Sequence, residues 1–292
     1  MLKPPPFAYA APSSIDEALS LLAEYGEDAK LLAGGQSLVP LLALRLARPS
    51  ALIDLGGVSG LSHIRREDGY VAVGAMARER QAERSQLVRS AVPLLAEAMP
   101  LIGHIAIRNR GTIGGSTAHA DPSAEIPAVA VTLDAQLVAR SSSRGERTIA
   151  AVDFFRGFFT TVLEPDEALI ELRFPAAGPR TGVAFAEAAR RHGDFAMVGA
   201  AATLRLEDGL ITWARLTLIG VASTPLRRHD AEDVLIGAAP VAATFQASAA
   251  LAAESLEPHS DLHGTSAYRT HLARVLARRA LETAARRAEE AA

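Results

Sequence analysis

Two glycine pairs, Gly34-Gly35 and Gly114-Gly115, constrain the fold of this chain more than any other feature. The first follows a short apolar run, Ala29 to Ala33, that reads as a buried strand. It precedes a stretch from Leu38 to Leu46 that reads as a helix, with Pro40 tolerated in its first turn. The second sits in a Gly-rich loop, Gly111 to Ser116, after an irregular basic stretch. Glycine lacks a Cβ, so another group can approach the backbone closely. Successive N–H groups can then turn inward as a nest for an anion. Taken singly, each pair reads as a tight turn. Taken together, with Gln36, Ser37, Thr112 and Ser116 as neutral donors, they could hold a pyrophosphate without any lysine.

The elements around these pairs alternate between helical and extended patterns. Ser14 and Glu17 have capping-box spacing ahead of a helical face made by Ile15, Ala18, Leu19 and Leu22, and Gly26 suits the C-terminal cap. Ala51 to Leu55 is a second apolar strand. Asp68-Gly69 predicts a hairpin between Leu61–Arg65 and Tyr70–Gly74. Helices are expected near 78–84, 92–99 and 123–133, and strands at 136–140, 147–150 and 169–174. Pro175, Gly178 and Pro179 form the best linker in the chain. Beyond it come three strand patterns, at 183–189, 199–206 and 210–219, and an alanine-rich helical tail. The last helix is expected to show Leu272, Val275, Leu276 and Arg279 near one face.

A length of 292 residues suggests two domains, at about 150 residues each. With 30 basic against 33 acidic residues the net charge is −3, which gives little drive toward nucleic acid or anionic lipid. The chain has no cysteine, which excludes disulfides, cysteine-ligated zinc or iron–sulfur centres, and a cysteine nucleophile. It fits a cytoplasmic location. Pro4, Pro5 and Pro6 interrupt any signal-peptide core, and no apolar run is long enough to suggest a membrane span. Neither a Walker loop nor a Gly-x-Gly-x-x-Gly fingerprint is present, so a Walker-type NTPase and a Rossmann site are both unsupported.

His119, Asp121 and Glu125 follow the second glycine pair. They could ligate a metal, or His119 and Asp121 could organise the loop while Glu125 opens the next helix. A third reading makes Glu125 an acceptor for ligand hydroxyls. Arg108 and Arg110 could draw in a phosphate, although salt bridging is the commoner fate of such residues.

Several long motifs in one order now resemble a known family. Ala33-Gly34-Gly35-Gln36-Ser37 and Thr112-Ile113-Gly114-Gly115-Ser116 resemble the two FAD-binding loops of the medium, flavoprotein subunit of the carbon monoxide dehydrogenase/xanthine dehydrogenase family of molybdenum hydroxylases. The similarity extends through Tyr25-Gly26-x-Asp28-Ala29-Lys30, Leu52-Ile53-Asp54, Ile107-Arg108-Asn109-Arg110-Gly111, Ala118-His119-Ala120-Asp121-Pro122 and Asp153-Phe154-Phe155. It continues through Ala189-Arg190-Arg191-x-Gly193-Asp194-Phe195 and Asp261-x-His263.

The resemblance implies an α+β protein. A two-part α/β FAD-binding domain (residues 1–176, with parts of about 1–56 and 57–176) would precede a C-terminal domain (177–292) with a three-stranded antiparallel sheet and helices. It implies FAD as cofactor, cradled by Leu32, Ala33, Gly34, Gly35, Gln36, Ser37 and Leu38 and by Gly111, Thr112, Gly114, Gly115 and Ser116. Glu125 would meet the ribityl or ribose hydroxyls, Leu169 and Ile170 would form an apolar edge, and Phe195 would lie beside the isoalloxazine. Phe195 stands where many relatives have tyrosine, Ser116 where many have asparagine, and Gln36 where histidine is frequent. No residue of this chain would be catalytic in its own right, and none would hold a metal.

The implied partners are a large molybdopterin-binding subunit and a small 2Fe–2S subunit, commonly in a dimer of heterotrimers. Electrons would reach an external acceptor through the flavin. Two other readings remain: a stand-alone FAD oxidoreductase of the same fold, and an assembly subunit with a vestigial site. Valine at Gly34 or Gly115 is expected to deplete FAD while leaving the fold largely intact.

Overall fold

The computed structural model describes residues 3–291. The N-terminal part is a small parallel sheet of β1 (Ala8–Ala10), β2 (Ala29–Leu32) and β3 (Ala51–Asp54) in the order β1-β3-β2, with helices α1 (Ile15–Tyr25) and α2 (Leu38–Ala43). Ser14 caps α1 by accepting from the Glu17 N–H at 3.2 Å, and Glu17 returns a bond to the Ser13 N–H at 2.9 Å. Such a cap stabilises a helix by about 1 kcal/mol. Helix α2 is shorter than its apolar pattern, because Arg45 turns to a left-handed φ of 60°. Strand β1, among the prolines and alanines of the N-terminus, has no signal in the sequence.

A five-stranded antiparallel sheet follows, in the order β4-β5-β10-β6-β7. Its strands are β4 (Ile64–Arg66), β5 (Tyr70–Gly74), β6 (Gln136–Ser141), β7 (Gly145–Ala150) and β10 (Glu167–Pro175). Between β5 and β6 run the helices α3 (Glu79–Arg84), α4 (Gln86–Ala91), α5 (Pro93–Ala98), α6 (Ile105–Arg108), α7 (Ile113–His119) and α8 (Glu125–Thr132). A short helix, α9 (Ala151–Phe154), and a hairpin of β8 (Phe155–Gly157) and β9 (Thr160–Thr161) precede β10. Helix α8 is buried on every side, which its continuous apolar composition requires.

The last part is an antiparallel sheet of β11 (Thr181–Ala188), β12 (Val198–Glu207) and β13 (Leu210–Ile219), backed by α10 (His229–Asp233), α11 (Ala242–Ala252) and α12 (Ser266–Glu290). A fourth strand, β14 (Leu226–Arg227), joins the three expected strands through two residue pairs. Helix α12 lies on β11 and β12 through Ala273, Leu276, Ala277, Ala280, Leu281 and Ala284. Of the expected face, Leu276 is buried, Leu272 and Val275 are half-buried and Arg279 is exposed. Small side chains let the two backbones meet. A Cβ on Gly182 would fall 1.8 Å from the Ala284 carbonyl oxygen.

Three apolar cores result. One lies under α1 and the first sheet, and one lies between the five-stranded sheet and helices α5 and α8. The third lies between α12 and the last sheet. The middle core takes in Val183, Phe185 and Ala201 of the last sheet, so the chain before and after Pro175–Pro179 shares buried surface. Ion pairs reinforce that contact, with Asp134 joined to Arg215 at 3.0 Å and to Arg227 at 2.7 Å.

Candidate functional site

The two glycine segments meet. Gly34 lies against the backbone of Arg110 and Gly111; a Cβ there would fall 2.4 Å from the Arg110 carbonyl oxygen and 2.8 Å from the Gly111 Cα. A Cβ on Gly115 would come within 3.4 Å of the Ala33 Cβ. At Gly34 the missing side chain therefore admits another stretch of this same chain.

The segments have different local structures. Residues 33–37 are a turn between β2 and α2. Among the described residues, no group accepts from the backbone N–H of Gly34, Gly35, Gln36, Ser37 or Leu38. The Gln36 side chain folds back, its Nε2 donating to the Gly34 carbonyl at 3.0 Å.

The second segment is not a loop over its whole length. Ile113 to His119 form α7, so Gly114, Gly115 and Ser116 are helical. Thr112 caps this helix through its hydroxyl, which accepts from the Gly115 N–H at 3.0 Å. The Ile113 and Gly114 N–H groups donate to the carbonyls of Ala77 and Ala75. Gly114 is required by close approach, since a Cβ there would stand 2.3 Å from that of Ala75. The amides of Gly111, Gly114, Gly115 and Ser116, expected to face an anion, are thus paired within the protein. Its backbone forms a wall against which the first turn rests.

A crevice of about 560 Å³ opens beside the first turn. Leu32, Ala33, Gly34, Gly35 and Gln36 line it, together with Val39, Asp54, Arg78, Ile107 and Arg110. Leu169 is buried and Ile170 partly buried at an irregularity in β10. There the Ile170 carbonyl accepts from Ala75, whose own carbonyl holds Gly114. Ile170 is therefore linked to the second segment through Ala75. Phe195 is 67% exposed and lines a different cavity, of about 820 Å³, with Phe158, Arg190, His259 and His263. The structure thus joins residues 32–38 to residues 110–115 and places Phe195 at a separate opening.

Glu125 is the first residue of α8 and is buried. Its carboxylate has no partner beyond its own backbone N–H. Burial, with the nearby charges of Glu187, Glu79 and Asp121, pushes it up to about 8. Glu79 is buried beneath Gly111, with Oε2 unpaired, and burial raises it to about 7 against the pull of Arg108 and Arg78. Glu187, on β11, is raised to about 7 by burial and also has an unpaired Oε2. Glu79 and Glu187 had no signal in the sequence, where a lone glutamate in a helix or strand reads as surface.

Arg108 does not face the crevice. It is buried, paired with Glu83 at 2.9 Å, and donates to the carbonyls of Ile102 and Gly103. Asp121 shapes the turn into α8 by accepting from the Ser123 N–H at 2.8 Å, and the His119 ring lies 5.0 Å from that of Phe159. Among the described residues no group of three or more His, Asp or Glu side chains could hold a metal. No helix among them is long and apolar enough to cross a membrane.

Comparisons with known proteins agree over nearly the whole chain. Residues 5–177 match the family described as "FAD binding domain in molybdopterin dehydrogenase". Residues 183–284 match "CO dehydrogenase flavoprotein C-terminal domain". The 6-hydroxypseudooxynicotine dehydrogenase complex subunit alpha of Paenarthrobacter nicotinovorans is 42% identical, over 98% of this chain and 97% of its own length. The carbon monoxide dehydrogenase medium chain of Hydrogenophaga pseudoflava is 41% identical, over 96% of this chain and 98% of its own. A solved structure of carbon monoxide dehydrogenase from the same organism superimposes with a TM-score of 0.96 at 42% identity, covering 98% of this chain and 99% of that one. The chain belongs to the family of FAD-binding medium subunits of molybdenum-containing dehydrogenases, typified by the carbon monoxide dehydrogenase medium chain.

Proposed function

We propose that this chain is the flavin relay of a three-component molybdenum hydroxylase. It would receive electrons from the 2Fe–2S clusters of a small subunit, after substrate oxidation on a large molybdopterin-binding subunit, and pass them to an external acceptor. The observation that carries the reading is the run of backbone N–H groups from Gly34 to Leu38, which have no acceptor among the described residues, at a turn whose Gly34, Gly35 and Gln36 line a crevice shared with Arg110. The residues present fit FAD. Amides without partners among the described residues suit a diphosphate, and the Glu125 carboxylate, partnered only by its own backbone N–H, suits hydroxyl donors.

In this reading residues Leu32 to Leu38 bind the diphosphate, with Gly111, Thr112, Gly114, Gly115 and Ser116 as the facing wall. Glu125 orients the ribityl or ribose hydroxyls, Leu169 and Ile170 supply an apolar edge, and Phe195 covers the ring system. Bound FAD supplies the redox chemistry, taking up electrons singly and releasing them in pairs. The chain's own residues position the cofactor and exclude water. We assign residues 1–176 to the FAD-binding domain, in parts of about 1–56 and 57–176, and 177–292 to the C-terminal domain. We place the assembly, a dimer of heterotrimers, in the cytoplasm.

The test is copurification with its partner subunits, followed by a screen of carbon monoxide, aldehydes, purines and N-heterocycles. The complex is expected to show an oxidised-flavin spectrum that bleaches with the true substrate. A flavin-free complex that still reduces acceptor would overturn the reading. Substrate turnover by the isolated chain would instead favour a stand-alone oxidoreductase.

Phe195 offers a narrower check. Because the ring is exposed, Phe195→Ala is expected to leave the melting temperature unchanged while altering the fluorescence of bound flavin. Unaltered flavin emission would remove this ring from the site.

A further inference from the structure

We propose that Arg110, held over the Gly34–Gly35 turn by Arg78, binds the diphosphate of the cofactor and makes this crevice select FAD over flavins that lack a diphosphate. The proposal rests on reading residues 32–38 as the diphosphate cradle.

Placement is the first argument. The backbone of Arg110 is wedged against Gly34, where even a methyl group would not fit. The Arg78 guanidinium donates to the Arg110 carbonyl, which fixes that residue at the edge of the turn. Both arginines line the crevice that the turn opens into.

Availability is the second argument. Two residues earlier, Arg108 is consumed by Glu83 and backbone carbonyls. The Arg110 side chain is exposed and has neither a hydrogen bond nor an ion pair among the described residues. An exposed guanidinium without a partner among the described residues, on a residue that lines the crevice beside these amides, is suited to phosphate oxygens, which it can bind in a bidentate fashion.

Charge is the third. Asp54 is the one carboxylate lining the crevice, and both its oxygens are occupied. Oδ2 accepts from the Tyr9 hydroxyl at 2.6 Å and Oδ1 from the Gly56 N–H at 2.8 Å. The lining thus carries two guanidiniums against one satisfied carboxylate, which favours a ligand with a negative charge on each of two phosphates.

The test uses the full chain stripped of flavin. FAD and riboflavin are titrated by flavin fluorescence, and ADP and inorganic pyrophosphate by calorimetry. Wild type is expected to bind FAD and ADP, with affinity falling as salt rises. Arg110→Ala should weaken FAD and ADP by about tenfold, the loss of one charge-assisted contact, and flatten the salt dependence. Riboflavin binding should not change, and Arg110→Lys should recover part of the loss. Equal FAD affinity in wild type and Arg110→Ala would overturn the proposal while leaving the cradle in place. So would an equal loss for riboflavin, which would mean a distorted crevice. Pyrophosphate bound as tightly as ADP would show that the diphosphate alone supplies the recognition, in support of the proposal. Failure of wild type to bind FAD at all would overturn the cradle reading itself.

Discussion

Replacing Gly34 with valine is expected to cost the chain both its flavin and much of the stability of its N-terminal half. The sequence alone suggested a milder result, with FAD lost and the fold kept. The structure changes that expectation, because the space beside Gly34 is filled by the Arg110 carbonyl, 2.4 Å from a built Cβ, and by the Gly111 Cα. Both obstacles are backbone and cannot rotate away. Relief requires the turn to move off residues 110–111, which opens the crevice and uncouples Arg110 from the turn. Overpacking that forces the backbone to shift costs about 1–3 kcal/mol. Flavin content after purification should fall more than about tenfold, and the melting temperature should drop. Gly115→Val acts by another route: its Cβ would stand 2.5 Å from the Thr112 hydroxyl and displace the cap of α7. Gly157→Val is the control, since nothing lies within 4 Å of its built Cβ and its backbone is extended. Full flavin content and an unshifted melting curve in Gly34→Val would show that the two segments are not packed as described.

The same contact shows what the sequence could and could not reveal. Most strands and helices were legible, because apolar period and turn residues report on local structure. The Asp68-Gly69 hairpin and the Ser14 cap are where the pattern puts them. The role of the glycines was legible only by half. A glycine pair signals that something approaches the backbone closely, but not whether the neighbour is a ligand or another segment of the chain. Gly34 and Gly114 serve the second case, whereas Gly35 is set by its left-handed φ of 73°. The helical state of Gly114-Gly115 was hidden for a related reason. Local propensity disfavours glycine in a helix, and only the Thr112 cap and the packing on Ala75 overcome it. The buried face of α12 was hidden because alanine carries little pattern, although it is what allows Gly182 to touch the helix backbone. Glu79 and Glu187 were invisible because their burial comes entirely from tertiary packing.

Those buried acids predict an unusual pH dependence. In the flavin-free chain, stability is expected to fall as pH rises from about 5 to 8, where most proteins are near their optimum. Glu79 and Glu187 are raised to about 7 and Glu125 to about 8, all above the ordinary glutamate value of 4.5. The folded chain therefore holds protons that the unfolded chain has already released. The stability this confers is fully present below pH 4.5 and is lost as pH rises through 7 to 8. For Glu79, the most fully enclosed of the unpaired acids, ionisation would cost on the order of 3 kcal/mol by pH 8. Glu79→Gln should remove that part of the slope. Its melting temperature should be equal to or slightly below wild type at pH 5, where both side chains are neutral and the amide leaves a buried donor unpaired. At pH 8 it should be higher, because wild type must then bury a charge beneath Gly111. Opposing this trend, Glu83, Glu167 and Glu171 are held below the ordinary value by arginine or histidine partners that outweigh their own burial. Their contribution is lost only as pH falls through their lowered values, so the acid limb should be the same in both proteins. Hydroxyl donors from bound FAD would favour the ionised form of Glu125, so the flavin-loaded chain should lose less stability between pH 5 and 8 than the stripped one. Parallel melting curves for wild type and Glu79→Gln across this range would show that Glu79 is already ionised, and hence that water or a cation reaches the space beneath Gly111.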